Sequence, residues 1–333
     1  MNRKPVRKWI FLTPALTAAL LTLQAQSVDL QYAPADGAYF QVVETETHSR
    51  SDAGGQPVTD VRQRMSFVTV AAVPAPMPGE KPTAAAPDAA VPAGTAFSNR
   101  VTITSQSLTR NGDAIISPVH AALAGLELVY HLDANGKLLA IAGYEGLDAA
   151  MAAKLPDKFA GTLAKLVNAS ALRHRDETGY QEVYGPFTEG SITPVANAVS
   201  AASQPLPAGG SLPLFAVSNI EATSEGMIVV RRAFSSDAAA LAAQFEGVDA
   251  AAILATQGEI TAMLPESCTS ASISGSEEVL VQASGALVEF RSHSLSYAWT
   301  DKAPAGQVPV THQVTERREF TAAAVVGLME QPR

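Results

Sequence analysis

The sequence contains few residues that could form covalent cross-links or a cysteine-based metal site. It contains one cysteine, Cys268, among 333 residues, which excludes an internal disulfide and a cysteine-cluster metal site. Aromatic residues make up only 6% of the chain, so any core must be built mainly from aliphatic side chains. Charged residues are also few, at 17% against 47% hydrophobic, and this balance excludes an intrinsically disordered chain. A chain of this length can bury one large core or two smaller ones.

Basic residues are in the minority, with 23 Lys and Arg against 32 Asp and Glu and a formal net charge of −9. A nucleic-acid-binding protein needs a basic surface to contact phosphates, so we expect no nucleic-acid partner. The sequence has no nucleophile elbow, no phosphate-binding glycine loop and no zinc-binding pattern. We therefore expect no cofactor and no metal, and we assign no catalytic or binding residue. The histidines stand alone, at positions His48, His120, His131, His174, His293 and His312.

Residues 1–25 have the order of a secretory signal peptide. Four basic residues come first, an apolar run of about 15 residues extends from Trp9 to Leu23, and a small residue, Ala25, ends the segment. The run is shorter than the ~20 residues that span a bilayer, which favours cleavage after Ala25 over a permanent anchor. Cleavage would remove four of the 23 basic residues and none of the 32 acidic ones, leaving a net charge of −13. We expect export to the periplasm or the medium, with no stable membrane span afterwards.

Alternating apolar and polar residues predict several long strands. Residues 38–72 are typical of two strands joined by a turn, and Val61, Met65 and Phe67 lie on one face opposite Arg62 and Arg64. Residues 99–109 predict another strand. The segment 73–97 contains six prolines and is predicted to be a disordered Pro/Ala-rich insertion between strands.

A β-hairpin is predicted over residues 126–144. Asp133 is typical of the first turn position and Gly136 of a left-handed position, so Asp133 should pair with Lys137. This register sets Leu132 opposite Leu138, Tyr130 opposite Ala140 and Leu126 opposite Tyr144. Both faces of the hairpin are apolar enough to be covered, which suggests helices on one side and a second layer or an enclosed space on the other.

Helical sequence follows this hairpin, at about 148–155, 157–168 and 170–184, and residues 188–213 are interpreted as a connection. The second half predicts a hairpin over 212–234, a helix from the cap at 235–237 through about Phe245 that continues at 248–256 after Gly247, and a hairpin over 279–290. Apolar residues change face in the strand 286–299, which indicates a bulge near 292–294. A last strand is predicted at 307–320, followed by a short helix from Thr321.

These elements predict one α+β domain over residues 26–325, with possible halves at 26–187 and 211–325 and a tail at 326–333. Its core element would be a large curved antiparallel sheet, half-barrel-like and wrapped around a few helices. The signal peptide, the motif Asp-Ala-Asn-Gly-Lys-Leu at 133–138 before helices, and Ala-Ser-Gly-Ala-Leu-Val-Glu-Phe at 283–290 carry a resemblance. The chain resembles exported bacterial envelope proteins of the lipoprotein-carrier (LolA/LolB-like) half-barrel type. The resemblance implies a cupped apolar surface that takes an acyl chain or an extended peptide.

Three functions are compatible with this sequence. The first is a non-enzymatic exported protein that binds an apolar ligand, such as a lipid, or an envelope protein in a half-barrel. The second is a structural or assembly protein of the envelope that acts through protein–protein contacts. The third is an exported hydrolase whose site is assembled from residues distant in sequence. The sequence leaves the oligomeric state open.

Overall fold

The structure of the chain is a computed structural model. It describes residues 27–30, 32–51, 55–74, 91–145, 147, 168–188, 190–283 and 287–325. The predicted signal peptide, the predicted helices at 148–155 and 157–167, most of the predicted Pro/Ala-rich insertion and the tail at 326–333 lie outside these residues.

Long antiparallel strands dominate the described residues, and helices form a small share. The strands are β1 (Val28–Asp29), β2 (Tyr39–Ser51), β3 (Pro57–Thr69), β4 (Phe97–Arg110), β5 (Asp113–Ala114), β6 (Glu127–Leu132), β7 (Leu138–Ala142), β8 (Ser191–Ile192), β9 (Val195–Pro205), β10 (Ser211–Ala222), β11 (Met227–Ser235), β12 (Cys268–Gln282), β13 (Leu287–Asp301) and β14 (Thr311–Ala324). The described helices are α1 (Pro118–Leu123), α2 (Ala169–Tyr184), α3 (Ala238–Ala242) and α4 (Ala250–Ala255), with a 3₁₀ turn at Gly185–Phe187.

Twelve strands form one sheet that is not closed into a barrel. Its order is β7-β6-β4-β3-β2-β14-β13-β12-β11-β10-β9, with β5 paired to β4, and all neighbours are antiparallel. Strands β2 to β7 therefore occupy one side of the sheet and β9 to β14 the other. The first and last long strands join the two sides, since Phe320 of β14 lies opposite Glu44 of β2. The prediction of a large antiparallel sheet is confirmed.

Several predicted elements are confirmed with small changes in their ends. Strands β2, β3 and β4 match the strands predicted in 38–72 and 99–109, and β10 with β11 forms the hairpin predicted at 212–234. Helix α2 matches the prediction at 170–184 because Asn168 caps it, accepting a hydrogen bond from the Ala171 amide at 2.8 Å. Asp237 and Asp249 cap α3 and α4 in the same way. Helix α3 ends at Ala242, three residues earlier than predicted.

The interpretation of residues 188–213 as a connection is wrong. Half of this segment forms β8 and β9, and β9 pairs with β10 at one end of the sheet order. Its sequence, Val-Ala-Asn-Ala-Val-Ser-Ala-Ala-Ser-Gln-Pro, is rich in alanine and serine, which have no strand propensity of their own. Pairing with β10, which is much more apolar, stabilises β9 as a strand despite this composition.

The expected register of the 126–144 hairpin is right at its turn and wrong beyond it. Asp133 accepts hydrogen bonds from the amides of Asn135 and Lys137, and Leu132 lies opposite Leu138 as predicted. A register shift then sets Tyr130 opposite Ile141 instead of Ala140. The shift leaves Leu139 38% exposed. The sequence could not predict this register shift, because both faces of the hairpin are apolar and either register would bury apolar residues.

Two expectations in the last third of the chain are also wrong. The bulge lies at Glu289, between the pairs Val281–Val288 and Leu280–Phe290, and not near 292–294. Residues from Thr321 continue β14 to Ala324 as a strand instead of forming a helix, because they pair with β2. The strand itself begins at Thr311, later than predicted.

The predicted insertion at 73–97 is described only at its ends. Strand β4 begins at Phe97, which forms a bridge with Ala72, and the Val73 amide donates to the carbonyl of Ala96 at 2.8 Å. The backbone therefore enters and leaves this segment side by side. Residues 75–90 lie outside the described residues.

The buried apolar residues form three clusters around the sheet. The largest joins α2 to strands of both sides, through residues such as Leu128, Leu172, Val230 and Phe320. A second lies on β10 to β14 and includes Leu214, Phe234 and Leu295. In the third, Leu241 of α3 and Ile253 of α4 cover Phe215 and Val217 on the opposite face of β10.

Candidate ligand-binding cavity

One face of the sheet, called here the inner face, contacts helix α2 and lines a cavity of about 2660 Å³. Residues of β2, β3, β4, β9, β10, β11, β13 and β14 contribute to its wall, together with α2. Ligand pockets for small molecules have volumes of roughly 300–1,000 Å³. The cavity is therefore large enough for a ligand bigger than a typical metabolite.

A row of polar side chains crosses the inner face at right angles to the strands. Each member lies directly opposite the next one on the neighbouring strand, over six consecutive strands from β3 to β11. The members of this polar row are Arg62, Glu46, Arg318, His293, Glu277 and Arg232. Opposite charges alternate along most of the row, which is the arrangement that stabilises cross-strand neighbours.

The polar row separates two apolar patches of the cavity wall. Two residues along each strand in one direction lie Val230 and Phe320, which line the cavity and belong to the cluster packed on α2. In the other direction lie Phe234, Leu295 and, on β10, Leu214. This second set, Phe234, Leu295 and Leu214, is called here the far patch. The cavity wall is thus apolar, polar and again apolar along the strands, and the apolar residues named here pack so closely against their neighbours that each is at most 6% exposed.

Helix α2 is fixed to the inner face by a buried ion pair. The guanidinium of Arg64 on β3 donates to a carboxylate oxygen of Asp176 on α2 at 2.9 Å, and both residues are buried. The hydroxyl of Tyr144 donates to the other oxygen of Asp176. Burial, and then the negative charge of Asp176, raise the pKa of Tyr144, so its hydroxyl keeps its proton and stays a donor.

The C-terminal half of α2 is held by two further arginines of the sheet. Arg318 on β14 donates to the Glu182 carboxylate at 2.6 Å, and Arg291 on β13 donates to the Glu182 backbone carbonyl. The same half carries Tyr180, whose hydroxyl donates to the carbonyl of Gly136 at 2.7 Å. Its ring stacks on that of Tyr184 at 4.7 Å. The helix therefore touches both sides of the sheet.

Glu277 of the polar row is a buried carboxylate with two arginine partners. Arg232 donates to one of its oxygens at 2.8 Å, Arg291 donates to the other from Nε at 2.9 Å, and Nη2 of Arg291 makes an ion-pair contact with that same oxygen at 2.7 Å. Burial alone would raise the pKa of Glu277, but the charges of Arg291 and Arg232 outweigh it and hold the pKa below its ordinary value. Glu277 is therefore ionised at neutral pH.

His293 lies between Glu277 and Arg318 in the same row. Its Nδ1 is 3.9 Å from a Glu277 oxygen, beyond hydrogen-bond distance, and its ring packs edge-to-face on Phe234. Burial lowers the pKa of His293 to about 4, so the imidazole is neutral at pH 7 and the polar row carries no third positive charge beside Glu277.

Of the other histidines, His131 forms a serine–histidine pair. Its Nδ1 is 3.1 Å from the Ser98 hydroxyl, and it is buried between β4 and β6. A hydrolytic triad needs an acid that orients the imidazole, and in the described ranges the other ring nitrogen of His131 has no hydrogen-bond partner. His312 pairs with Asp301 at 2.8 Å, and His48 lies 3.8 Å from Glu316. These contacts are cross-strand pairs.

Sequence reasoning assigned no residue to this site and therefore missed the polar row. A signal was present, since Arg232 lies on the same face of its strand as Val230 and Phe234, and Glu277 lies on the same face as Val279. A charge in register with apolar residues of a long strand indicates a buried or cavity-facing charge. What the sequence could not give is the strand order that brings these charges together.

The rest of the described chain offers no metal centre and no membrane helix. Within the described ranges, no three His, Cys, Asp or Glu side chains converge as metal ligands would. The helices among those residues are too short or too polar to cross a bilayer.

Comparison with known protein families found no matching family, and comparison with curated proteins found no relative. Among solved structures, one of lipovitellin, described with its lipid–protein interactions, matches with 6% sequence identity and a TM-score of 0.35. The match covers 90% of this chain and 26% of that chain, so this chain spans about a quarter of its length. At that TM-score the similarity supports no argument about fold or function.

Proposed function

We propose that this chain is an exported, non-enzymatic protein that binds an amphipathic ligand, such as a lipid, in the cavity on the inner face of its sheet. In this proposal residues 1–25 direct export and are removed after Ala25, and the protein acts in the periplasm or outside the cell. The sheet acts as a half-barrel that curves around helix α2 and the ligand.

The observation that carries the proposal is the cavity wall itself. A space of about 2660 Å³ meets two apolar patches with a row of fixed charges between them. Buried apolar surface favours an apolar ligand by roughly 25 cal/mol per Å² removed from water. Charges held in fixed ion pairs favour a ligand that also has a polar group. An amphipath satisfies both requirements.

Uptake of an apolar fluorescent dye tests the proposal. The protein should enhance the fluorescence of the dye, and a lipid extract should displace it. Ser218→Trp places a large side chain in the cavity wall and should weaken dye binding, since Ser218 lines the cavity next to Arg232. Ala298→Trp is the matched control, because Ala298 lies on the opposite face of β13 from the inner-face residues Leu295 and Tyr297 and does not line the cavity.

The outcome is decisive in both directions when far-UV circular dichroism shows that both variants are folded. Dye binding that lipid displaces, and that Ser218→Trp weakens while Ala298→Trp does not, supports the proposal. Absence of dye and lipid binding by the wild-type protein contradicts it.

A further inference from the structure

The cluster around Glu277 has more positive than negative charge. Two guanidinium groups, from Arg232 and Arg291, share one carboxylate, and the neighbouring imidazole of His293 is neutral. Arg318, on the next strand, is balanced by Glu182. The cluster therefore keeps one positive charge without a counter-ion, in a cavity where water screens it only in part.

Arg291 and Arg232 differ in the number of guanidinium nitrogens that remain free to bind a ligand. All three guanidinium nitrogens of Arg291 have protein partners: Nε donates to Glu277, Nη2 makes an ion-pair contact with Glu277, and Nη1 donates to the Glu182 carbonyl. Arg232 uses one nitrogen, Nη1, on Glu277, and makes no other hydrogen bond with the part of the chain that the structure describes. Its side chain is 26% exposed and lines the cavity. Two donor nitrogens of Arg232 are therefore available to a ligand.

The surroundings of Arg232 match the two parts of an amphipath. Ser218, directly opposite on β10, adds a hydroxyl to the cavity wall, and Phe234 follows Arg232 on the same face. Phe234, Leu214 and Leu295 belong to one apolar cluster, which begins where the charges end. The next acidic group of the wall, Glu316, lies opposite Leu295 on β14, three strands away from Arg232, and is within 3.8 Å of His48.

We propose that Arg232, with Ser218, is the head-group site for an anionic amphipath whose acyl chain lies in the cavity, on the side of the far patch. This inference rests on the proposed function and names its ligand class. A guanidinium presents parallel N–H groups that match a carboxylate or a phosphate, and either anion would neutralise the unbalanced charge. Arg291 holds Glu277 in place and does not touch the ligand.

Binding of three oleyl compounds separates the possibilities. The dissociation constants of oleate, 1-oleoyl lysophosphatidate and oleyl alcohol are measured by displacement of the dye, below their micelle concentrations and at pH 8. At that pH a carboxylic acid head group is ionised. The wild-type protein should bind at least one of the anions about tenfold tighter than the alcohol, as expected for one charge-assisted contact. The tighter of the two identifies the head group as a carboxylate or a phosphate.

Arg232→Gln should bring the anion to the affinity of the alcohol and leave the alcohol unchanged. Arg231→Gln is the matched control, because Arg231 is the next residue on the same strand, points to the other face and pairs with Glu278 at 3.0 Å. It should keep the full preference for the anion. If Arg232→Gln does not fold, Arg232→Lys keeps a positive charge against Glu277 but loses the paired N–H groups, and it should reduce the preference.

The results distinguish this inference from the proposed function. Equal binding of all three compounds by the wild-type protein, or an anion preference that survives both changes at Arg232, overturns the head-group site while leaving a lipid-binding cavity in place. Failure of all three to displace the dye, or of the dye to bind, overturns the proposed function as well. Tighter binding of an anion that depends on Arg232 supports both.

Discussion

Arg64 on β3 and Asp176 on α2, 112 residues apart in the sequence, meet as a buried ion pair with 2.9 Å between Nη1 and Oδ1. Burying two charges costs several kcal/mol per ion unless each is well satisfied. Asp176 is satisfied by Arg64 and Tyr144, whereas Arg64 Nε lacks a hydrogen-bond partner and lies 3.8 Å from Glu44. The pair therefore ties α2 to β3 on the inner face.

Removing the acid of this pair should destabilise the protein strongly. Asp176→Asn leaves the guanidinium of Arg64 buried beside the more distant Glu44 alone, and we expect a loss of about 3 kcal/mol in the free energy of unfolding. Urea denaturation measures it. Glu177→Gln, the adjacent residue of the same helix, is the matched control and should change the free energy by less than about 0.5 kcal/mol.

Replacing both partners tests whether the loss comes from an unpaired charge. In the double variant Arg64→Met with Asp176→Leu, neither of these two positions carries a buried charge, so we expect most of the lost stability to return. A double variant as unstable as Asp176→Asn would contradict this explanation and would show that shape and not charge holds α2.

The face that β3 buries shows how far the sequence can predict this fold. Alternation predicted the strand correctly, with Val61, Met65 and Phe67 on one side and arginines on the other. The structure buries Arg64 and Ser66, and it leaves Met65 and Phe67 only half-buried on the outer face. A rule that assigns apolar residues to the interior fails here because the inner face needs charges to hold α2 and to form the polar row.

Local signals therefore predicted elements better than their partners. Asp133 and Gly136 predicted a turn, and Asp237 predicted a helix start, since each acts within a few residues. The pairing of β2 with β14 joins residues about 270 positions apart, and no local signal encodes it. The polar row depends on that pairing and could not be predicted.

Acid should destabilise the protein partly through His293. Burial lowers the folded-state pKa of His293 from 6.5 to about 4, so the folded protein disfavours the protonated form. The resulting stability is present above pH 6.5 and is lost as the pH falls from 6.5 towards 4. Four charged groups face the ring. Glu277 raises the pKa of His293, whereas Arg291, Arg318 and Arg232 lower it, so burial and the three arginines outweigh the one carboxylate.

A comparison of variants isolates the contribution of His293. Between pH 6.5 and 4.5 the wild-type protein should lose about 2 kcal/mol more than His293→Gln does, since one pKa unit is worth about 1.4 kcal/mol. The control is His174→Gln, at an exposed position of α2, which should follow the wild-type pH dependence. Parallel curves for the wild-type protein and His293→Gln would rule out this role for the imidazole.

One glycine of the sheet and one glycine of helix α2 should respond in opposite directions to alanine. At Gly275 on β12 a Cβ would lie 2.1 Å from the carbonyl oxygen of Ser294, so Gly275→Ala must shift the pairing of β12 with β13. We expect a loss of more than about 2 kcal/mol in urea denaturation. At Gly179 on α2 a Cβ would meet nothing within 4 Å, and Gly179→Ala should stabilise the protein by up to about 1 kcal/mol. A harmless Gly275→Ala would mean that the two strands are not in the register described.

The single cysteine provides a direct measure of opening at the end of the sheet that holds the far patch. Cys268, the first residue of β12, is 5% exposed and lies opposite Asp301. We expect a thiol reagent such as DTNB to react slowly with the native protein and at once in urea, because the thiolate must become exposed before it attacks. Saturating ligand bound in the cavity beside the far patch should slow the native reaction further, by the factor that its affinity adds to local stability. A native rate equal to that in urea would contradict the burial of β12, and a rate that ligand leaves unchanged would separate opening at Cys268 from ligand binding.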